Sequence, residues 1–255
     1  MFSVNPVLPG IYHIRDAMGV CMTLLTGTEK ALLIDTGYGT EDVRAFVSGL
    51  TEREITVLLT HGHHDHAVGA RWFDKTYMFA EDLDEFRELT GPAKRAVLAE
   101  QAAVKGLSVP EDWMTRAVKE PEPLHEQTIA LGGMSVRVMH VPGHTPGSFV
   151  AYIPEHRLLL SGDDWNPCTW IWFPSAEGIG TWRANMKQLY SLPFTHVLCS
   201  HQPDLRTREE LVSFVDSITD EAIAKAEPVD MGSPIDTRVI RFSDERLIVF
   251  DHAKA

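Results

Sequence analysis

Residues 61 to 66 read His-Gly-His-His-Asp-His, directly after the apolar run Ile55-Thr56-Val57-Leu58-Leu59. Few folds accommodate so many metal-ligand side chains in so short a stretch. A strand sends alternate side chains to one face, so a strand end aims His61 and His63 at one point. The turn that follows brings Asp65 and His66 to a neighbouring point. Imidazole nitrogen and carboxylate oxygen are ligands that zinc, iron and manganese accept. The pattern reads as two adjacent metal sites fed by one loop; a polar surface turn has no need of it.

Two metals need more ligands than one loop provides, and the chain offers them singly at later strand ends. Val138 to Ser148 runs from a strand into a Pro/Gly turn with His144 at its tip. Leu158-Leu159-Leu160-Ser161-Gly162-Asp163-Asp164 is an apolar strand ending in a glycine and acids. Thr195 to His201 is a third strand with His201 just past its end. In each case a rigid element delivers one ligand-type residue into a loop of small residues, where chemistry usually sits.

From about residue 9 to about residue 205 the chain therefore resembles the metallo-β-lactamase-fold hydrolase superfamily, in its glyoxalase II and acyl-lactone hydrolase branch. The shared motif is His61-x-His63-x-Asp65-His66, followed in order by His144, Asp163 and His201. Asp35, in Leu33-Ile34-Asp35-Thr36-Gly37, matches an early Asp-Thr-Gly element whose acid supports the metal loop from behind the ligands. The resemblance implies an α/β (α+β) fold, a four-layer αββα sandwich of two mixed β-sheets flanked by helices. It also implies that His61, His63 and His144 bind one metal, Asp65, His66 and His201 a second, and that Asp163 bridges them. Two divalent ions are expected, zinc first, with iron or manganese as alternatives. A water held between two such ions loses a proton near neutral pH, giving a hydroxide nucleophile. No Ser or Cys nucleophile is then needed.

The remaining histidines carry no such context. His64 occupies a variable position in the motif and is expected to point away from the metals. His13, His125, His140, His156, His196 and His252 read as packing or surface residues. Asp164 is open between two roles, a hydrogen-bond acceptor behind the ligands or a solvated neighbour of Asp163.

At 255 residues the chain fits one two-layered α/β unit, so a single domain over 1–255 is expected. No apolar run approaches the ~20 residues that cross a membrane. The N-terminus lacks a basic patch followed by an apolar stretch, and Cys21, Cys168 and Cys199 form no framework. These features point to a reducing cytoplasm. Cys21 and Cys199 read as core; Cys168 lies in an aromatic segment. A formal charge of −13 argues against nucleic acid, which is bound mainly by Lys and Arg. The expected partner is a small molecule, with no nucleic acid and no membrane; the sequence does not speak to oligomeric state.

Residues 81 to about 118 interrupt the strand pattern with helical stretches at Glu81–Leu89, Ala93–Lys105 and Glu111–Val118. This insertion is a candidate lid over the pocket or an outer helical layer. Elsewhere Thr40 is the expected cap of a helix bearing Val43, Phe46, Val47 and Leu50. Thr207-Arg208-Glu209-Glu210 is a capping-box signature, and Thr237–Phe242 with Arg246–Phe250 reads as a closing hairpin.

The segment Trp165 to Pro174 carries four aromatics in nine residues, Trp165, Trp170, Trp172 and Phe173. Directly after Asp163, it reads as a loop forming an apolar pocket wall. Such a wall suits a small ester, thioester, lactone or amide. The preferred expectation is a metal-dependent hydrolase in which a metal-bridging hydroxide cleaves a small ester, thioester or lactone. Alternatives are a phosphodiester or β-lactam hydrolase of this fold, a mononuclear-iron sulfur dioxygenase, or a scaffold that has lost its chemistry. Asp65 is a candidate catalytic residue. For protonation of the leaving group, Asp65, Tyr38 and residues of the insertion all stay open.

Overall fold

The computed structural model describes residues 1–255. A first sheet takes its seven strands in chain order: β1 (Ser3–Leu8), β2 (Ile11–Arg15), β3 (Cys21–Thr26), β4 (Ala31–Ile34), β5 (Ile55–Leu58), β6 (Tyr77–Met78) and β7 (Glu122–Pro123). The first four pair antiparallel through tight turns. From β4 onward pairing is parallel, because helical crossovers intervene. These are α1 (Val43–Ser48), α2 (His64–Ala67), α3 (Leu83–Thr90) and α4 (Pro92–Val104).

The second sheet contains β8 (Gln127–Ala130), β9 (Ser135–His140), β10 (Phe149–Ile153), β11 (Leu158–Leu160), β13 (His196–Leu198) and β14 (Arg206–Thr207). Only β11 and β13 run parallel; α5 (Ile179–Gln188) lies in the crossover between them. A third, four-stranded sheet, unforeseen as such, joins β12 (Cys168–Ile171), β15 (Glu227–Pro228), β16 (Thr237–Ser243) and β17 (Arg246–Asp251). The expected closing hairpin is β16–β17, and β12 adds to it in parallel. Two further helices, α6 (Arg208–Ser217) and α7 (Asp220–Ala224), precede that hairpin.

Three apolar clusters fill the spaces between layers. Leu32, Ile34 and Leu58 of the first sheet meet Val138, Phe149, Ala151 and Leu160 of the second. Ala31, Leu33, Val57 and Leu59 pack on the other face against Val43, Val47 and Phe86 of the helices. Adjacent residues of β4 thus serve opposite faces, which explains its unbroken apolar run. The second sheet's outer face packs Val150, Leu159 and Val197 against Trp182, Met186, Leu211 and Phe214. Helix, sheet, sheet and helix stack as the αββα sandwich.

Three local expectations change. Helix α1 starts from Asp42, whose side chain accepts the Ala45 N–H, so Thr40 is not its cap. Residues 111–116 form turns rather than a helix. There Trp113 is buried and bonds through its indole N–H to the Arg95 carbonyl, while Arg95 donates to the carbonyls of Trp113 and Arg116. Those side-chain bonds satisfy the backbone that a helix would have satisfied. Residues 168–171 form β12, not a loop; the ladder to β17 outweighs the Asn166-Pro167 turn signal.

The topology gathers the loops at one edge. Ile34 pairs with Leu58 and Leu160 with Leu198, both in parallel register. The segments carrying Asp35, the 61–66 motif, Asp163 and His201 therefore all leave carboxyl ends of strands, the usual side for a site in parallel arrangements. Phe149 N–H donates to the Thr60 carbonyl at 3.1 Å, tying the second sheet to the metal loop.

Candidate metal centre

Asp35 leaves β4 with φ 65°, a left-handed conformation that costs a non-glycine residue of order 1–3 kcal/mol. Its carboxylate accepts the Thr60 N–H at 2.7 Å, the Thr60 hydroxyl at 2.9 Å and the His66 Nδ1–H at 2.9 Å. Because the Thr60 hydroxyl donates to Asp35, its oxygen accepts from His61 Nδ1 at 3.0 Å. Both imidazoles are then protonated at Nδ1 and present Nε2 inward.

Of the other two histidines expected at the first metal, His63 is turned the opposite way and His144 the same way. His63 donates from Nε2 to Glu85 Oε1 at 3.2 Å and presents Nδ1. Glu85 is itself held by the Ser175 hydroxyl at 2.8 Å. His144 donates from Nδ1 to the Trp170 carbonyl and presents Nε2, 2.9 Å from His63 Nδ1. Neither Glu85 nor the Trp170 carbonyl is evident from sequence. Glu85 is one acid in an acid-rich helix, and a carbonyl carries no residue-type signal.

Asp163 sits centrally. Its Oδ2 lies 2.9 Å from His201 Nε2, 3.5 Å from His66 Nε2 and 3.7 Å from His144 Nε2. Asp65 Oδ2 is 3.6 Å from both His66 Nε2 and His201 Nε2. Three groups of converging ligand atoms result, His61/His63/His144, His61/His66/Asp163 and Asp65/His66/His201, each with its atoms within 4.8 Å of one another. All seven side chains expected to bind metal thus come together, with Asp35 directly behind them.

These residues fit divalent cations. His61 Nε2, His66 Nε2 and Asp163 Oδ1 are buried with no hydrogen-bond partner in the protein, which costs about 1–3 kcal/mol per group unless something else pairs with them. Burial, then the imidazoles of His66, His63 and His144, holds His61 well below the usual imidazole range, so its lone pair is free. Burial and then His63 bring His144 down to about 4. Burial alone would raise Asp163, but His201 and His66 outweigh it and hold its carboxyl well below the usual range. For His66 burial is overcome by Asp163, Asp65 and Asp35, which push it well up. Carboxylates that favour a proton at His66 equally favour a cation there.

Asp82 and Asp164 brace the two ligand loops. Asp82, fully buried, accepts the Gly62 N–H at 3.0 Å, the Thr145 hydroxyl at 2.6 Å and the Gly147 N–H. It therefore ties the 61–66 loop to the His144 loop. Asp164 is also buried, and its Oδ1 accepts the His144 backbone N–H at 2.9 Å. It is the acceptor behind a ligand, not a solvated neighbour.

A cavity of about 780 Å³ opens over these groups, lined by His63, Asp65, His144, Asp163 and His201 together with Tyr38, His64, Leu89, Lys94, Trp170 and Phe173. His64 is absent from the converging groups but does face this cavity, its ring edge-on to Tyr38. Of the four aromatics expected to wall the pocket, Trp170 and Phe173 line it. Trp165 does not: it is buried in the core edge-on to Phe214, and its backbone carbonyl accepts the Ser161 hydroxyl. That bond closes the turn after β11, and the indole packs in the cluster beneath the second sheet. Trp172 stacks behind Phe173 at 4.6 Å and is not among the lining residues. Cys168 lines the cavity, whereas Cys21 and Cys199 are buried.

A helix-flanked sandwich with His and Asp converging at one edge is the architecture of a metallo-hydrolase superfamily. Residues 16–189 match the family model of the metallo-beta-lactamase superfamily, and the chain belongs to that superfamily. It is 25% identical over 197 residues to the acyl-coenzyme A thioesterase MBLAC2 of Gallus gallus, covering 65% of this chain and 69% of that protein. It is 30% identical over 176 residues to MBLAC2 of Homo sapiens, covering 56% and 60%. Against the hydroxyacylglutathione hydrolase GloC of Haemophilus influenzae, identity is 27% over 150 residues, covering 56% and 65%. The matches to the human and Haemophilus proteins thus span less than two thirds of those proteins. Among solved structures, the metallo-beta-lactamase family protein TTHA1429 from Thermus thermophilus superposes with a TM-score of 0.59 at 23% identity, covering 86% of this chain and 84% of that one. TTHA1623, solved in a di-iron-bound form, gives 0.55 at 26% identity, covering 80% and 95%.

Proposed function

We propose that this protein is a hydrolase that holds two divalent metal ions and cleaves a small ester, thioester or lactone. The observation that carries this reading is the convergence of seven His and Asp ligands, three of their buried atoms unpartnered, beneath an open cavity. His61, His63 and His144 would hold one ion, Asp65, His66 and His201 the other, with Asp163 shared. When bound, the ions would acidify a shared water and polarise the scissile carbonyl. Zinc is the preferred occupant; the di-iron form of TTHA1623 makes iron the alternative.

The chain's own residues do the rest. Asp65 and Asp163 offset part of the cationic charge. Asp35 and Glu85 fix the tautomers and ring angles of His66 and His63, the usual work of groups behind metal ligands. Leu89, Trp170 and Phe173 offer apolar surface to the acyl portion of a substrate. The acyl-coenzyme A thioesterase and hydroxyacylglutathione hydrolase names of the relatives support an acyl thioester or ester over a phosphodiester or a β-lactam.

Elemental analysis of purified protein, then a panel of thioester, lactone, aryl ester, phosphodiester and β-lactam substrates, tests this reading. We expect about two metals per chain and turnover of the acyl substrates. Asp65→Ala should keep the fold, lose metal and lose turnover. One oxygen-sensitive iron per chain with oxygenase activity would overturn it in favour of a dioxygenase.

A further inference from the structure

Tyr38 is held out over the site by a short turn that gives it little freedom. Gly37 and Gly39 on either side both have φ 72°, a backbone region that a side chain strongly disfavours. Nor is there room for one. A Cβ on Gly37 would stand 2.7 Å from the Met22 side chain and 2.8 Å from Asp16 Oδ2, and one on Gly39 would stand 2.9 Å from the Val68 and Gly69 backbone. Asp16 anchors the turn. It is buried, its Oδ1 accepts the Gly19 N–H at 2.8 Å and the Val20 N–H at 3.1 Å, and its Oδ2 accepts the Tyr38 N–H at 2.9 Å. The turn is packed tightly and displays one side chain.

That side chain lies in the cavity wall shared with Asp65, Asp163 and His201. Its ring meets His64 edge-on, with centroids 5.5 Å apart and planes at 72°. Its N–H is taken by Asp16, but its hydroxyl makes no hydrogen bond within the protein. His64 thus acquires a role that the motif alone does not suggest: it supports the Tyr38 ring. A half-buried phenol with an unused O–H, set on a rigid turn in the cavity that Asp65, Asp163 and His201 also line, is preorganised to donate.

We propose that Tyr38 is a catalytic residue whose hydroxyl donates to the leaving-group heteroatom of the scissile bond. The inference rests on the hydrolase reading and assigns the proton donor within it. Water adds its oxygen to the acyl carbon; as the carbon–heteroatom bond breaks, the heteroatom departs with the bonding pair and takes the Tyr38 proton. The phenolate recovers a proton from those released by the attacking water. The net change is ester plus water to acid plus alcohol.

The need for such a donor depends on the leaving group, which a merely structural role would not reproduce. An alkoxide is a strong base and needs the proton as the bond breaks; a nitrophenolate departs readily without it. The test uses full-length, metal-loaded wild type and Tyr38→Phe on one acyl chain esterified to a series of alkyl and aryl alcohols. Tyr38→Phe should match wild type in metal content and circular dichroism. It should lose on the order of 100-fold in kcat on alkyl esters and less than about 5-fold on nitrophenyl esters, with KM little changed. An equal loss across the series, or none, overturns the role of Tyr38 while leaving the hydrolase reading intact. A wild type that is inert on every acyl substrate overturns both.

Discussion

Glu85 and His63 form a hydrogen bond of 3.2 Å that joins the helical segment between β6 and β7 to the metal centre. It leaves His63 Nδ1 2.9 Å from His144 Nε2, so the tautomer of one proposed ligand is set from α3. With Asp82, at the start of the same segment, bonded to both ligand loops, this end of the segment is built into the site. Of the two roles read from sequence, a mobile lid and an outer layer, neither describes residues 82–85.

Glu85→Ala should therefore weaken metal binding by roughly 10- to 100-fold, the usual effect of removing a group behind a metal ligand. Glu85→Gln keeps an acceptor oxygen and should cost less. Chelator competition on both variants measures this. Unchanged affinity in Glu85→Ala would show that packing alone orients His63.

Asp35→Asn separates backbone strain from hydrogen bonding. Asn also tolerates the left-handed conformation, so the φ of 65° survives the change. The amide cannot accept the Thr60 N–H, the Thr60 hydroxyl and His66 Nδ1–H as the carboxylate does. Metal-free protein should lose about 1–3 kcal/mol in urea denaturation, and the metal bound by His66 should be held less tightly. Wild-type stability in the variant would mean that Asp35 contributes little beyond its shape.

The two tryptophans that sequence cannot tell apart should respond in opposite ways. Trp165→Ala, in the core against Phe214, should cost about 3–5 kcal/mol of stability. Trp170 is 43% exposed, so Trp170→Ala should change stability by less than about 1 kcal/mol while raising KM for substrates with a bulky acyl chain. Denaturation curves and steady-state kinetics on the pair decide it, and a stability loss confined to Trp170→Ala would contradict the assignment.

His13 gives a pH-dependent term. It is buried between Thr23 Oγ1 and the Gln202 carbonyl, each at 3.0 Å, and burial lowers its proton affinity below the ordinary imidazole value. The unfolded chain therefore takes up a proton in acid that the folded chain resists. The stability that His13 contributes is present above the ordinary imidazole range and declines as pH falls through it. The stability gap between wild type and His13→Gln should shrink from pH 7.5 to pH 5.5 in metal-free protein, measured by urea denaturation; a gap independent of pH would refute this.

What could be read from the chain in advance was whatever local spacing encodes. The run from His61 to His66 and the single His and Asp residues at three later strand ends announce the cluster of side chains that converges in the structure, because strand alternation and turn residues act over a few positions. Apolar runs likewise announced most strands, and Thr207 with Glu210 announced a helix start that the structure contains as a capping box. The Thr40 cap and the helix at 111–118 misled, since Asp42 competes for the first and the Arg95–Trp113 bonds for the second.

Other properties depend on distant segments meeting. Which nitrogen His66, His63 and His144 present is decided by Asp35, Glu85 and the Trp170 carbonyl, partners that lie 31, 22 and 26 positions away in the chain. The same is true of which tryptophan meets substrate, of Asp82 and Asp164 as braces, and of Tyr38 over the ligands. Residue types and their periods belong to the sequence alone. Hydrogen-bond direction and the enclosure of a cavity arise only when the two sheets close on each other, because they depend on atoms the linear order keeps apart.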